Sequence, residues 1–330
     1  MNRISNTTNP SYSVTIGSEK FSIGSKASRI VSVRVVLGIG LPTDRCEVLL
    51  VHSDSHKFKK GDSLKVELGY ETDLKLVFSG LVEEIEQFLS RVKVIALGLA
   101  VSLLRLRFYR IYLNQTAGKI VSNVAQEANV KVKKASEGIS FPSYVIDEST
   151  NAYEHILKLA ERCNFDAYFT ENAQLVFKEW DGGKNTDLYY GKEIIEVGAI
   201  HFSPLYSGIH VHGESPSSMK GSDTSHWLTK QDIRGEAGAE KVFQIEDPAV
   251  KDKKTAETVA KAKASKLEYN FSVSIETVGN SGISLGDTIT LKDVPISNVH
   301  RQLGVRGIQH YLSKAKGFTT TIYCWGKVNT

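Results

Sequence analysis

KKGDSLKVEL (Lys59–Leu68) and SLGDTITLKD (Ser284–Asp293) decide the fold of this chain. Each opens an ordered series. The first is followed by VFSGLVEEI (Val77–Ile85) and RVKVIAL (Arg91–Leu97), the second by GVRGIQHYL (Gly304–Leu312) and FTTTIYCW (Phe318–Trp325). Gly61 and Gly80 are 19 positions apart, Gly286 and Gly307 21. A turn, an alternating strand, a Gly-centred strand and a closing strand occur twice in the same order. Matched order of this kind is the mark of an internal repeat, here of one small β unit.

Gly-Asp before an alternating run reads as a turn entering a half-buried strand. Glycine supplies unusual backbone angles, and aspartate bonds back to the turn amides. Leu64, Val66 and Leu68 alternate with Ser63, Lys65 and Glu67, and Ile289 and Leu291 alternate with Thr288 and Thr290. That period of two puts one face on a core. Gly80 and Gly307 inside strand patterns are expected to mark bulges or bends. Such bends let a short sheet curl into a barrel and hide its edges.

The expected fold class is β-rich α+β, with two similar small β-barrels separated by an α/β segment. The first barrel is placed at residues 1–106, the α/β segment at 107–200 and the second barrel at 201–330. Thr116 can cap a helix with the stripe Ile120, Val121, Val124, Ala125 and Ala128. Asn151 with Glu154 resembles a capping box, the stripe Ile156, Leu159, Ala160 and Cys163 follows, and Asn164 is the stop. A hairpin follows over Phe165–Thr170 and Gln174–Glu179. The polar stretch 214–240 reads as a long loop, and residues 252–269 as a helix with a Lys-rich outer face (Lys254, Lys261, Lys263, Lys266).

Composition is that of a soluble globular protein, 41% apolar and 24% charged. A net charge of +4 over 330 residues does not make nucleic acid a main partner. Cys46, Cys163 and Cys324 are odd in number and far apart, which fits buried thiols made in a reducing cytoplasm. The polar start MNRISNTTNPSYSV carries no secretory signal. The longest apolar run, Val94–Val101, is too short to span a bilayer.

Three further stretches carry a family likeness: LNQTAGKIVSNVAQEANVKV (Leu113–Val132), STNAYEHILKLAERCNFDAYFTENAQLVF (Ser149–Phe177) and AKAKASKLEYNFSVSIETVGNSGISLGDTITL (Ala260–Leu291). In this order they resemble the late control D family of phage tail proteins. These are the baseplate hubs of contractile tails and related injection systems, and the hub portion of VgrG proteins. The likeness runs from about Phe58 to Trp325. It implies a homotrimer in which two barrels per subunit make a ring of six near-equivalent positions. It implies the spike protein, the tail tube protein and other baseplate proteins as partners, and a virion tail or injection particle as the location. Nothing after Trp325 resembles a triple-stranded spike, so the spike is expected to be a separate protein.

No catalytic constellation stands out. There is no G-x-S-x-G, H-E-x-x-H or Walker loop, and VLGIGLP (Val36–Pro42) lacks the helix a dinucleotide site needs. The chain is therefore expected not to be an enzyme and to need no cofactor. His210 and His212 have the spacing of metal ligands, with His201 and His226 near in sequence, but no third ligand is evident and an ordinary strand face is the expectation. His52, Asp54 and His56 read as a polar turn, and Glu83, Glu84 and Glu86 as a solvated face rather than an acid/base cluster. Trp227 in the long loop, Tyr323 and Trp325 are the interface candidates. Gly61, Asp62, Gly80, Gly286, Asp287 and Gly307 are assigned structural turn and bulge roles. Two other readings compete with a mechanical hub: an OB-like barrel binding oligosaccharide or single-stranded nucleic acid, and a cell-wall hydrolase carried in a tail.

Overall fold

The computed structural model describes residues 9–23, 29–53, 56–201, 205–214, 232–296 and 302–327. The chain opens with β1 (Pro10–Ile16), β2 (Glu19–Ser22), β3 (Ile30–Gly38), β4 (Arg45–Val51), β5 (Ser63–Tyr70), β6 (Asp73–Gln87), β7 (Arg91–Leu97) and α1 (Ala100–Arg105). A middle section holds β8 (Arg110–Thr116), α2 (Ala117–Glu127), β9 (Val132–Ala135), β10 (Ser140–Ile146), α3 (Ala152–Cys163), β11 (Phe165–Phe169) and β12 (Leu175–Glu179). Then come β13 (Asn185–Tyr189), β14 (Ile194–His201), β15 (Gly208–Gly213), β16 (Arg234–Gly238), β17 (Val242–Asp247) and α4 (Lys253–Leu267). The chain closes with β18 (Phe271–Val278), β19 (Thr288–Lys292), β20 (Gln302–Ser313) and β21 (Gly317–Gly326).

Five strands of each half follow one plan. The orders are β3-β4-β7-β6-β5 and β14-β18-β21-β20-β19, and every neighbouring pair is antiparallel. The irregularities coincide as well. The first ladder slips between Ile30 and Ser32, its counterpart between Ile194 and Glu196. A second slip lies between Val82 and Glu84 in one unit and between Val305 and Gly307 in the other. Bulges at matching places are designed features rather than accidents.

The Gly-Asp turns match bond for bond. Asp62 Oδ2 accepts the Lys59 N–H at 2.8 Å, and Asp287 Oδ2 accepts the Ser284 N–H at 2.9 Å. The Gly61 N–H reaches the Val82 carbonyl at 2.8 Å, and the Gly286 N–H reaches the Val305 carbonyl at 3.0 Å. Both glycines have positive φ, +90° and +83°, which a side chain would resist. The glycines inside the strands are a different matter. Gly307 follows the bulge and stands where Glu84 stands in the first unit. Gly80 pairs regularly with Leu64 and marks no bulge, so it is not the counterpart of Gly307. It is glycine because a Cβ there would lie 2.3 Å from the Leu97 carbonyl oxygen.

The two units are far apart in sequence and adjacent in space. β20 pairs with β3, which joins them into one 13-stranded sheet among the described residues. One hydrophobic core serves both, including Val14, Leu64, Phe78 and Val94 from the first and Phe271, Ile289, Val305 and Ile322 from the second. β13 and β14, read from the sequence as part of the α/β segment, belong to the second unit through β19 and β18. The stretch 214–240, read as a loop, contains β16, which pairs with β15.

Two further units hang on this sheet. In the middle section, α2 and α3 cover strands β8–β12 around Ile120, Val124, Ile156, Leu159 and Phe177. The helix boundaries follow local chemistry. Thr116 Oγ1 accepts the Lys119 N–H at 3.3 Å, and Asn151 exchanges two 2.9 Å bonds with Glu154. Asn164 ends α3 in the left-handed region at φ 56°. The second extra unit, β15–β17 with α4, is inserted between the first two strands of the second copy. It has its own core of Ile209, Val211, Val250, Ala256, Val259 and Ala260. Gly235 of β16 lies so close to α4 that a Cβ would meet the Ala256 carbonyl carbon at 2.1 Å. Gly235→Ala is expected to lose roughly 1–3 kcal/mol, because backbone cannot yield as a side-chain tip can. Urea melts of the variant and the parent check this.

Strand direction fixes where these units emerge. Leu97 pairs with Arg45, and Gly326 pairs with Phe271 at the matching end of the other ladder. The chain thus leaves β7 for the middle section at the end where β3 turns to β4. It leaves β14 for the inserted unit at the equivalent end of the second copy. The opposite ends carry the short connections 88–90 and 314–316. Because Gly307 faces Gly38 and Ser313 faces Ser32, both copies point the same way.

Candidate assembly surface

The joint between the copies shows what an edge of this unit does when it is covered. Residues Gly307–Ser313 of β20 bond to β21 on one side and to β3 on the other. Arg34 Nη2 donates to Gln309 Oε1 across the joint at 2.8 Å. Ile308, His310, Val33, Val35 and Leu37 are all buried there. His310 sits within 2.9 Å of Thr320 Oγ1, and burial pulls its pKa down to about 4.

Each of these edges has a counterpart with no second strand beside it among the described residues. Strand β6 from Glu84 to Gln87 pairs only with β7, and β14 from Glu196 to His201 pairs only with β18. The residues at the places of Ile308 and His310 are Ile85, half-buried, and Gln87, exposed. Those at the places of Val33, Val35 and Leu37 are Val197 and Ala199, half-buried, and His201, exposed. Exposed apolar side chains cluster at these edges. Phe88 and Leu89 stand at the tip of β6, and Ile195 and Ile200 on β14. Unpaired strand edges of this kind are templates for another chain.

The residues singled out from the sequence fall into place differently. Tyr323 and Trp325 are exposed on β21, so neither is core. Arg306 stacks on Trp325 at 5.1 Å while its Nη1 bonds Asp166 Oδ2 at 2.6 Å. Asp54, His226 and Trp227 lie outside the described residues. His210 is engaged across the strands, with Nδ1 2.8 Å from Arg234 Nη2 and Nε2 3.7 Å from Glu236. His201 stacks on Phe271 at 4.4 Å, and His56 Nδ1 meets Glu19 Oε2 at 3.1 Å. Among the described residues no group of three or more His, Cys, Asp or Glu is placed to hold a metal. Glu83 bonds Lys60 at 2.7 Å and Arg105 at 2.8 Å, and these two hydrogen bonds hold its carboxyl below the usual range. A general acid needs the opposite shift. Burial raises the thiols of Cys46, Cys163 and Cys324, so all three favour the unreactive protonated form.

Sequence reasoning did not single out Trp180. Its Nε1–H donates to the Gly286 carbonyl at 2.8 Å, and its ring covers Gly304. Lys184 N–H adds a 3.0 Å bond to Asp287 Oδ1. The end of the middle section is thereby fixed to the Gly-Asp turn of the second copy. No helix among the described residues is long and apolar enough to cross a membrane.

No family profile matches the sequence, and no curated protein matches it. Solved structures do match it. The 43 kDa tail protein of prophage MuSo2 from Shewanella oneidensis is 13% identical at a TM-score of 0.73, over 96% of this chain and 98% of that one. A tail protein from Neisseria meningitidis MC58 is 13% identical at 0.71, over 96% and 97%. The E. coli c3393 protein, a component of the type VI secretion system, is 11% identical at 0.62, over 96% and 77%. It is described as structurally similar to the T4 tail proteins gp27 and gp5. The chain therefore has the fold shared by these phage tail and type VI secretion proteins.

Proposed function

We propose that the protein is a structural hub of a contractile-tail baseplate or a related injection machine. In this reading three copies close into a ring that joins the tail tube to the spike. The observation that carries it is the pair of equivalent five-strand units, with matching bulges, joined edge to edge and pointing the same way. Three such chains place six near-equivalent units around one axis, and closed rotational symmetry is the usual form of a homo-oligomer. One end of each ladder carries a three-residue hairpin connection in both copies, 88–90 and 314–316, a repeat that suits a sixfold tube. The other bears the middle section after one copy and the inserted unit within the other, so it repeats threefold, which suits a threefold spike. The role is mechanical: the ring adapts symmetry and transmits the force of contraction, with no catalysis and no cofactor. Other baseplate proteins are its further neighbours in the assembled particle.

Light scattering on the protein alone and with the spike protein of the same particle tests this. The expected mass is that of three chains, alone or on adding the spike. A protein that stays monomeric and ignores the spike overturns the proposal.

A further inference from the structure

We infer that the ring is sealed by backbone pairing between the β6 edge of one subunit and the β14 edge of the next, in a register that the joint within each chain dictates. This rests on the ring reading and specifies its interface. The β20–β3 joint is a worked example of one unit docking on its neighbour. β6 is the first unit's version of β20, and β14 is the second unit's version of β3. If units repeat around the ring, the contact made inside the chain by β20 and β3 recurs between chains with β6 and β14.

The register follows from the matched bulges. Past the second bulge, Gly307, Ile308, Gln309 and His310 correspond to Glu84, Ile85, Glu86 and Gln87, since both series bond to equivalent positions of the closing strands. Val35, Val36 and Leu37 correspond to Ala199, Ile200 and His201 in the same way. Within the chain Ile308 faces Leu37, Gln309 faces Val36 and His310 faces Val35. Between chains Ile85 therefore faces His201, Glu86 faces Ile200 and Gln87 faces Ala199. One step further Phe88 faces Gly198, and an aromatic beside an edge glycine is a known way to pin register.

Exposure agrees with this assignment. Ile308 and His310 are 0% and 1% exposed beneath their joint, whereas Ile85 and Gln87 are open to different degrees. Ile200 is 64% exposed, and a neighbour's β6 would cover it. Another copy of the chain is the fitting occupant because its β14 edge has the direction and bulge position of β3, the edge that β20, the counterpart of β6, already meets inside each chain.

A cysteine pair reads the register directly. Glu86→Cys with Ile200→Cys places two thiols directly opposite each other, within disulfide reach. Mild oxidation is expected to give covalent dimers and trimers that reductant dissolves. Glu84→Cys with Ile200→Cys, two positions out of register, is expected to give little. Each single variant controls for Cys46, Cys163 and Cys324. Ile200→Glu sets a carboxylate against Glu86 in every joint and is expected to raise the trimer dissociation constant about tenfold or more. Because Ile200 is exposed, that variant folds as the parent does. A mass of three chains with no cross-link at 86 and 200, or equal cross-linking in both registers, overturns the edge assignment and leaves the ring. Dimers without trimers also overturn it, because they indicate a self-complementary contact. A protein that stays monomeric even with the spike overturns both.

Discussion

Asp247→Ala is expected to cost about 3–5 kcal/mol of stability and to loosen the inserted unit from the middle section. Asp247 ends β17, and Arg162 lies in the last turn of α3. Their two bonds, Nε to Oδ2 at 2.6 Å and Nη2 to Oδ1 at 2.8 Å, form a fork with side-chain exposures of only 13% and 7%. Burial alone would raise the Asp247 carboxyl, and the Arg162 guanidinium outweighs it and holds it below the ordinary range. Removing the carboxylate strands a buried guanidinium, and that uncompensated charge is the source of the cost. The double variant Arg162→Met with Asp247→Leu replaces both ions by apolar groups and is expected to recover most of the loss. Melts of parent, single and double variants, with limited proteolysis, separate a broken ion pair from lost packing.

Acid is expected to weaken the joint between the copies, by about 3 kcal/mol through one side chain. Burial lowers the His310 pKa from 6.5 to about 4. The unfolded chain takes up a proton as pH falls below 6.5, while the folded chain stays neutral until near pH 4. The His310 contribution is thus complete above pH 6.5 and disappears across the window down to about 4, each pK unit amounting to about 1.4 kcal/mol. His310→Gln gives this position the residue that Gln87 supplies in the first copy. The variant is expected to lose that part of the acid sensitivity, so the stability gap between it and the parent should change between pH 7 and pH 4 in urea titrations. A constant gap would show that His310 does not titrate as described.

What could be read from the sequence was local. The Gly-Asp turns at Gly61 and Gly286 and the helix signals at Thr116, Asn151 and Asn164 each act within a few residues, and each is where the letters put it. Asn151, for example, accepts the Glu154 N–H at 2.9 Å. Register was not legible. Gly80 and Gly307 look alike in text, yet one clears space for a carbonyl and the other follows a bulge, because a bulge consumes a residue that no letter announces. Nor was it legible that β14 begins the second copy, since residues 202–270 separate it from its partner β18. The edges opposite Gln87 and Ala199 could not be found either, for an edge is defined by the strand that fails to arrive.

The bond between β20 and β3 also bears on how quickly the proposed ring would be built. Six free units forming a ring would surrender rigid-body freedom five times over, each loss amounting to about 4–15 kcal/mol. Three tethered pairs surrender it twice. In the proposed ring half of the seams are already at the effective concentration set by a covalent chain, so closure should depend on a low power of protein concentration and proceed where subunits are scarce.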